Sequence, residues 1–182
     1  MGQKQLFELA ENVRKCTACP LWKGRLLAVP GEGPADAKIM IVGEAPGAEE
    51  DRLGIPFVGR AGKLLDELLA TNGFNREDIF ITNSVRCRPP KNRDPDKQEL
   101  KACKHWLDEQ ISVIKPDLII ILGRIALKNL LGKDKISDIH GEIIFQDQQK
   151  YFVTYHPSAG IRMVKWKKLL EEDFEKLKKL KF

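Results

Sequence analysis

KIMIVGEAPGAEEDRLGIPFVGRAGKLLDELL, residues 38–69, decides the fold. Its opening run, Ile39-Met40-Ile41-Val42, has the length and β-branched content of a fully buried strand. Gly43-Glu44-Ala45-Pro46-Gly47 ends that run, because two glycines and a proline in five residues prevent helix or strand from continuing. Pro56-Phe57-Val58-Gly59 then sets an aromatic residue between two more breakers. Leu64, Leu65, Leu68 and Leu69 follow at helical spacing, and Asn72-Gly73 is a stop signal for that helix. The stretch therefore reads as strand, loop and helix. A loop at the C-terminal end of a buried parallel strand is where open α/β sheets bind their ligands.

Outward from this unit the pattern recurs. Ile79 to Asn83 and Leu118 to Leu122 read as two more buried strands. Between them lie an irregular basic segment, Arg86 to Pro95, and a helix that Asp96 can cap, carrying Leu100, Cys103, Leu107 and Ile111. A helix from Arg124 to Leu131 follows the third strand. Glu142 to Phe145 and Tyr151 to Thr154 read as two strands around a polar turn at Gln146 to Lys150, and the second runs into Tyr155-His156-Pro157-Ser158-Ala159-Gly160. Helices are expected at Gln5 to Arg14 and, lysine-rich and amphipathic, at about Lys165 to Leu180. Strands alternating with helices imply an α/β fold, a parallel sheet with helices on both faces. The expectation is one domain over residues 1–182.

Composition narrows the function. The chain has 182 residues, 42% hydrophobic, enough for a real core. Charged residues make up 31%, against an ordinary share of about 25%, and the Lys and Glu excess fits a thermophile's surface. The net charge of +5 permits a polyanionic partner without requiring one. The polar N-terminus and the lack of a long apolar run point to a soluble, intracellular protein. There is no GxxxxGK[ST] loop and no GxGxxG after a strand, so a nucleotide triphosphate or dinucleotide is not the expected ligand.

Three polar residues mark strand ends: Glu44, Asn83 and His156. Singly each has a commonplace use, as a solvated carboxylate, a turn residue and a structural histidine. In a parallel sheet, however, these ends share one edge, and Phe57 can form a wall beside them. An amide, an imidazole and a flat aromatic face suit a planar heterocycle with carbonyl and N–H edges. Arg86, Arg88, Lys91 and Arg93 leave the same edge as Asn83, while Ile161, Arg162 and Lys165 follow His156. Cations around such a pocket would bind flanking phosphates. Cys16 and Cys19 form a CxxC, with Cys87 and Cys103 far along the chain. Four thiolates can close a zinc site or hold an iron–sulfur cluster, and four unrelated buried thiols are the alternative.

GEAPGAEEDRLGIPFVGRAGKLLDELL, TNSVRCRPPKNRDP and HPSAGIR, with the cysteines so spaced, closely resemble the family 4 uracil-DNA glycosylases, thermostable iron–sulfur enzymes of archaea and bacteria. The resemblance runs from Cys16 to the C-terminal helix. It implies a three-layer αβα sandwich with a central parallel four-stranded sheet. It also implies a 4Fe–4S cluster on Cys16, Cys19, Cys87 and Cys103, and hydrolysis of the N-glycosidic bond between uracil and deoxyribose in DNA, the opening step of base excision repair. By position, Gly43, Glu44 and Ala45 would line the uracil pocket, Phe57 would stack on the base, Asn83 would read its edge and His156 would donate to O2. Arg86, Arg88, Lys91, Arg93, Ile161 and Arg162 would contact DNA, with Ile161 or Arg162 as the wedge. The implied partner is uracil-containing DNA, single- or double-stranded, met by a monomer, with a sliding clamp as a further candidate partner. Family 1 enzymes carry an aspartate two residues after the motif glycine. Ala45 stands there in this chain and the acid is one earlier, at Glu44. A glycosylase of altered base scope and a zinc-bearing DNA-binding module are the rival readings.

Overall fold

The computed structural model describes residues 2–180; Met1, Lys181 and Phe182, part of the expected 1–182 unit, lie outside the described residues. The elements, in chain order, are α1 (Gly2–Lys15), β1 (Ile39–Gly43), α2 (Ala48–Leu53), α3 (Arg60–Thr71), β2 (Ile79–Asn83), α4 (Lys97–Ile114), β3 (Leu118–Leu122), α5 (Arg124–Leu131), β4 (Glu142–Gln146), β5 (Gln149–Thr154), α6 (Pro157–Arg162) and α7 (Val164–Lys178).

The strands form one sheet in the order β2-β1-β3-β5-β4. β2, β1, β3 and β5 are mutually parallel, and β4 pairs antiparallel with β5. The expected sheet of four parallel strands is thus corrected to a mixed sheet of five. The reason is local. Asp147 and Gln148 both take left-handed φ, 50° and 65°. A two-residue hairpin turn needs that conformation, and it folds β4 straight back onto β5. The turn is tighter than the five-residue segment expected from the sequence. β4 closes one edge, and its Phe145 is exposed.

β1, β2 and β3 are buried at every residue, which is why they read as continuous apolar runs without alternation. Successive residues still face opposite sides. Ile39, Ile41, Leu118, Ile120, Leu122 and Phe152 pack with leucines of α3 and with Leu170, Phe174 and Leu177 of α7. Met40, Val42, Ile119, Ile121 and Val153 pack with Leu6 and Leu9 of α1, Leu107 and Ile114 of α4, and Ala126, Leu127 and Leu131 of α5. Helices therefore cover both faces, as expected. α4 begins in a capping box, Asp96 accepting from the Glu99 amide at 2.8 Å and Glu99 accepting from the Asp96 amide at 2.8 Å. Among the described residues no helix is long and apolar enough to cross a membrane.

Strand order reverses direction at β1: the chain passes from β1 outward to β2, then crosses back to β3 on the other side. Ligand crevices form outside the strand C-termini at such a reversal.

Candidate active site

At that edge lies a cleft of about 400 Å³, lined among others by Glu44, Ala45, Phe57, Asn83, Arg93, His156 and Arg162. The sheet register sets Gly43 directly beside Asn83, so the first two strands deliver their terminal residues to one level. The Ser84 amide donates to the Gly43 carbonyl at 2.8 Å and the Val85 amide to the Glu44 carbonyl at 3.2 Å, keeping the exits paired beyond the sheet.

Phe57 is buried, although its backbone takes a left-handed φ of 52°. A bulky side chain seldom adopts that conformation, and where it does the surroundings must hold it. Two contacts do so. Gly62, in the first turn of α3, sits so close that a Cβ there would lie 1.8 Å from the Phe57 carbonyl oxygen. Gly43 leaves room for the ring, since a Cβ there would lie 2.6 Å from Phe57 Cζ and 2.5 Å from Asn83 Oδ1. The Phe57 ring faces His156 at 5.6 Å between centroids, tilted 30°.

Glu50, which the sequence reading passed over, holds the two loops together. Its buried carboxylate accepts from the amides of Val58 at 2.9 Å, Gly59 at 2.8 Å and Gly47 at 3.0 Å. The sole sequence signal is a Glu three residues into a helix after Gly47, half of a capping box. Hydrogen bonds to a charged partner contribute about 1.5–3 kcal/mol each and are not additive. Glu50→Ala is therefore expected to lower unfolding free energy by about 3 kcal/mol in denaturant titration, with Glu50→Gln losing less because one acceptor oxygen survives.

Asn83 is 2% exposed, and its Oδ1 is buried without a hydrogen-bond partner. An amide fixed on a strand end in this way has an acceptor free for a further hydrogen bond. His156 ends the β5 segment and caps α6: its Nδ1 accepts from the Ser158 amide at 3.2 Å, with the Ser158 hydroxyl at 2.9 Å. An accepting Nδ1 leaves the ring proton on Nε2. Burial, reinforced by the Arg162 charge and opposed by Glu50, pushes the imidazole down to about 4. His156 is thus a neutral N–H donor at physiological pH. Gly123 accommodates it, since a Cβ there would lie 2.9 Å from that of His156.

The Glu44 carboxyl behaves in the opposite sense. Burial and the nearby Asp94 push it up to about 7, against the pull of Arg124 and Arg162. Asp94 is itself held by Arg124 at 2.5 Å across the cleft rim.

The basic residues divide. Arg86, expected among the DNA-contacting cations, is 1% exposed and cannot reach a phosphate; that expectation is corrected. Its guanidinium turns inward, donating to the Asn83 carbonyl and to Gln110 Oε1. Arg93 is exposed but forked onto the buried Glu99 at 2.7 and 2.8 Å, which holds the Glu99 carboxyl below its usual range. Arg88 donates to Asn92 at 2.7 Å, and Lys91 is exposed. Ile161 and Arg162 are exposed on α6, Arg162 at the cleft.

Cys16, Cys19, Cys87 and Cys103 line a second, small cavity with Trp22, Arg86 and Trp106. Three of the sulfurs receive N–H donors: Cys87 from Arg25 at 3.1 Å, Cys103 from the Arg86 amide at 3.3 Å, and Cys16 from Trp106 Nε1 at 3.4 Å. Burial pushes the thiols of Cys19 and Cys87 up, and that of Cys103 to about 11. Donors gathered on sulfurs that burial alone would keep protonated fit thiolates bound to a positively charged inorganic group. Among the described residues no three His, Cys, Asp or Glu are arranged around a single metal ion.

The family model described as Uracil DNA glycosylase superfamily matches residues 30–178. A type-4 uracil-DNA glycosylase of Saccharolobus solfataricus is 48% identical over 180 residues, covering 93% of this chain and 83% of the relative. One from Thermotoga maritima is 46% identical over 182 residues, covering 97% and 95%. A type-5 uracil-DNA glycosylase of Pyrobaculum aerophilum is 33% identical over 148 residues, covering 71% of this chain and 65% of the relative. With this match spanning both the cleft and the strands that build it, the chain belongs to the uracil-DNA glycosylase superfamily, alongside its type-4 members.

Proposed function

We propose that this protein, acting as a monomer, extrudes uracil from DNA into the cleft and hydrolyses its N-glycosidic bond, releasing uracil and leaving an abasic site. One observation carries the reading: a neutral imidazole with its proton on Nε2 stands opposite a buried aromatic ring and shares one cleft with an amide of unspent bonding capacity. A base within a duplex is out of reach, so it must leave the stack and find a new stacking surface. Phe57 supplies that surface. Asn83 meets the base edge with a donor and an acceptor, matching uracil and mismatching cytosine. As the bond breaks, charge gathers on the leaving base. A preset N–H donor at O2, His156, stabilises it without reorganisation. Glu44 orients the attacking water and stabilises the oxocarbenium-like sugar.

Arg88, Lys91, Arg93 and Arg162 would position the DNA backbone, and Ile161 or Arg162 would enter the gap left by the base. The four cysteines would hold a 4Fe–4S cluster, supported by the shared cavity and the N–H donors on three sulfurs. Such a cluster supplies a rigid cross-link between the segment after α1, the strand exit at Cys87 and helix α4. The hydrolysis itself moves no electrons.

The test is release of uracil from a labelled oligonucleotide carrying one U, with matched T and C strands, by protein of measured iron content. Cleavage at U alone is expected. No release by iron-loaded protein would overturn the reading.

A pH profile isolates Glu44. Its carboxyl ionises at about 7, and the ionised form is the active one. kcat/KM, which reports free-enzyme ionisations, is therefore expected to rise about tenfold per pH unit below 7 and level off above it. His156 adds no limb in this range, being neutral above about 4. Glu44→Gln should lower the plateau and flatten the slope. A full rate for that variant would exclude the role.

A further inference from the structure

Arg86 is among the largest fully buried side chains of the protein. Its partners are neutral: the Asn83 carbonyl on one terminal nitrogen and Gln110 Oε1, at 2.6 Å, on the other. Nε is buried and has no partner at all. Gln110 is itself committed, donating to the Pro30 carbonyl at 2.6 Å and accepting from Thr82 at 3.2 Å. A guanidinium cannot shed its proton, so burying one without an anion is strongly unfavourable. The ionisable groups that act on it electrostatically are Cys103 and Cys87. Arg86 is among the residues lining the cavity of the four cysteines, and its own amide donates to Cys103 Sγ.

We propose that Arg86 is the buried counter-cation of the cysteine-held cluster and, through the Asn83 carbonyl, the positioning residue that ties that cluster to base recognition. This rests on the cluster reading above. Four thiolates outweigh the positive charge of a 4Fe–4S core, leaving a net anion in the cavity; Arg25 meets it from the part-buried side at Cys87 Sγ, and Arg86 is the fully buried cation that compensates it from within. The same guanidinium grips the last residue of β2, three positions before it in the chain. Strand end, guanidinium and cluster thus form one mechanical link. The cluster then has a consequence in the cleft without touching the substrate: loss of the anion leaves Arg86 uncompensated and Asn83 poorly held.

Four measurements on whole, iron-loaded protein test this, with Arg86→Met and Arg86→Lys beside wild type. They are iron content, the cluster's midpoint potential by film voltammetry, and single-turnover uracil release alongside duplex binding. Removing a neighbouring positive charge lowers a cluster's potential. Arg86→Met is expected to shift the potential downward and to slow uracil release by about tenfold or more, with duplex affinity within about twofold, as misplacement of a recognition group costs rate before binding. Arg86→Lys, which keeps the charge but not the planar fork, should return the potential to near wild type and recover only part of the rate. An unmoved potential in Arg86→Met overturns the counter-cation role, and an unmoved rate overturns the positioning role. Should Arg86→Met take up no iron, iron uptake by Arg86→Lys supports the charge and its failure refutes it. Absence of iron from wild type would instead refute the cluster reading.

Discussion

His156→Ala is expected to slow single-turnover uracil release by about 10²–10³-fold, the usual consequence of removing one preset donor to a developing negative charge. Duplex binding should hardly change, because the donor matters most once charge has gathered on the leaving base. The side chain also caps α6 through Nδ1, and losing a cap costs about 1 kcal/mol. A second substitution separates the two effects. Asn at position 156 can accept from the Ser158 amide and preserve the cap, yet offers nothing at the position of Nε2. His156→Asn should therefore be as slow as His156→Ala while melting near wild type. A His156→Asn variant of nearly full rate would show that the donor is elsewhere.

Asn83→Ala is expected to reduce uracil release by about 10³-fold and to collapse the preference for uracil over cytosine, since discrimination by buried hydrogen bonds can reach about 10⁴–10⁵. The two losses arise from one amide. With uracil, its donor and acceptor would both be satisfied. With cytosine, buried polar groups would face each other unpaired. Removing the amide abolishes reward and penalty together. Parallel single-turnover assays on U and C strands measure both quantities. A slow variant whose U-to-C ratio is intact would point to misfolding at the end of β2, and would move recognition to another residue.

The sequence made the strands and the strand ends legible for a simple reason. Ile39–Gly43, Ile79–Asn83 and Leu118–Leu122 are buried on both faces, so each reads as an apolar run stopped by a breaker or a polar residue. Parallel pairing then puts Glu44, Asn83 and His156 at one edge without further information. α2 escaped notice because six residues between two glycines carry too little periodicity. The pairing of β4 with β5 was legible as a turn, but its two-residue length depends on left-handed φ at Asp147 and Gln148, neither of them glycine. Arg86 was misread because a run of basic residues shows charge without showing direction. It is the residue of that run that turns inward at the strand exit, while Arg88, Lys91 and Arg93 stay at the surface or near it. Glu50 shows no more than half a capping box, because its three partners are backbone amides, which every sequence has.

The pocket's walls are set as much by missing side chains as by present ones. Gly43 and Gly62 both close on Phe57, one against its ring and the other against its backbone. Neither glycine can gain even a methyl group while Phe57 stays where it is, and Phe57 cannot move without leaving the face of His156. These positions therefore constrain one another's history. Substitutions that are harmless in other helices and strands are closed to this trio one at a time, so a lineage altering its base specificity has an easier path through other lining residues, such as Ala45 or Arg162, than through these three.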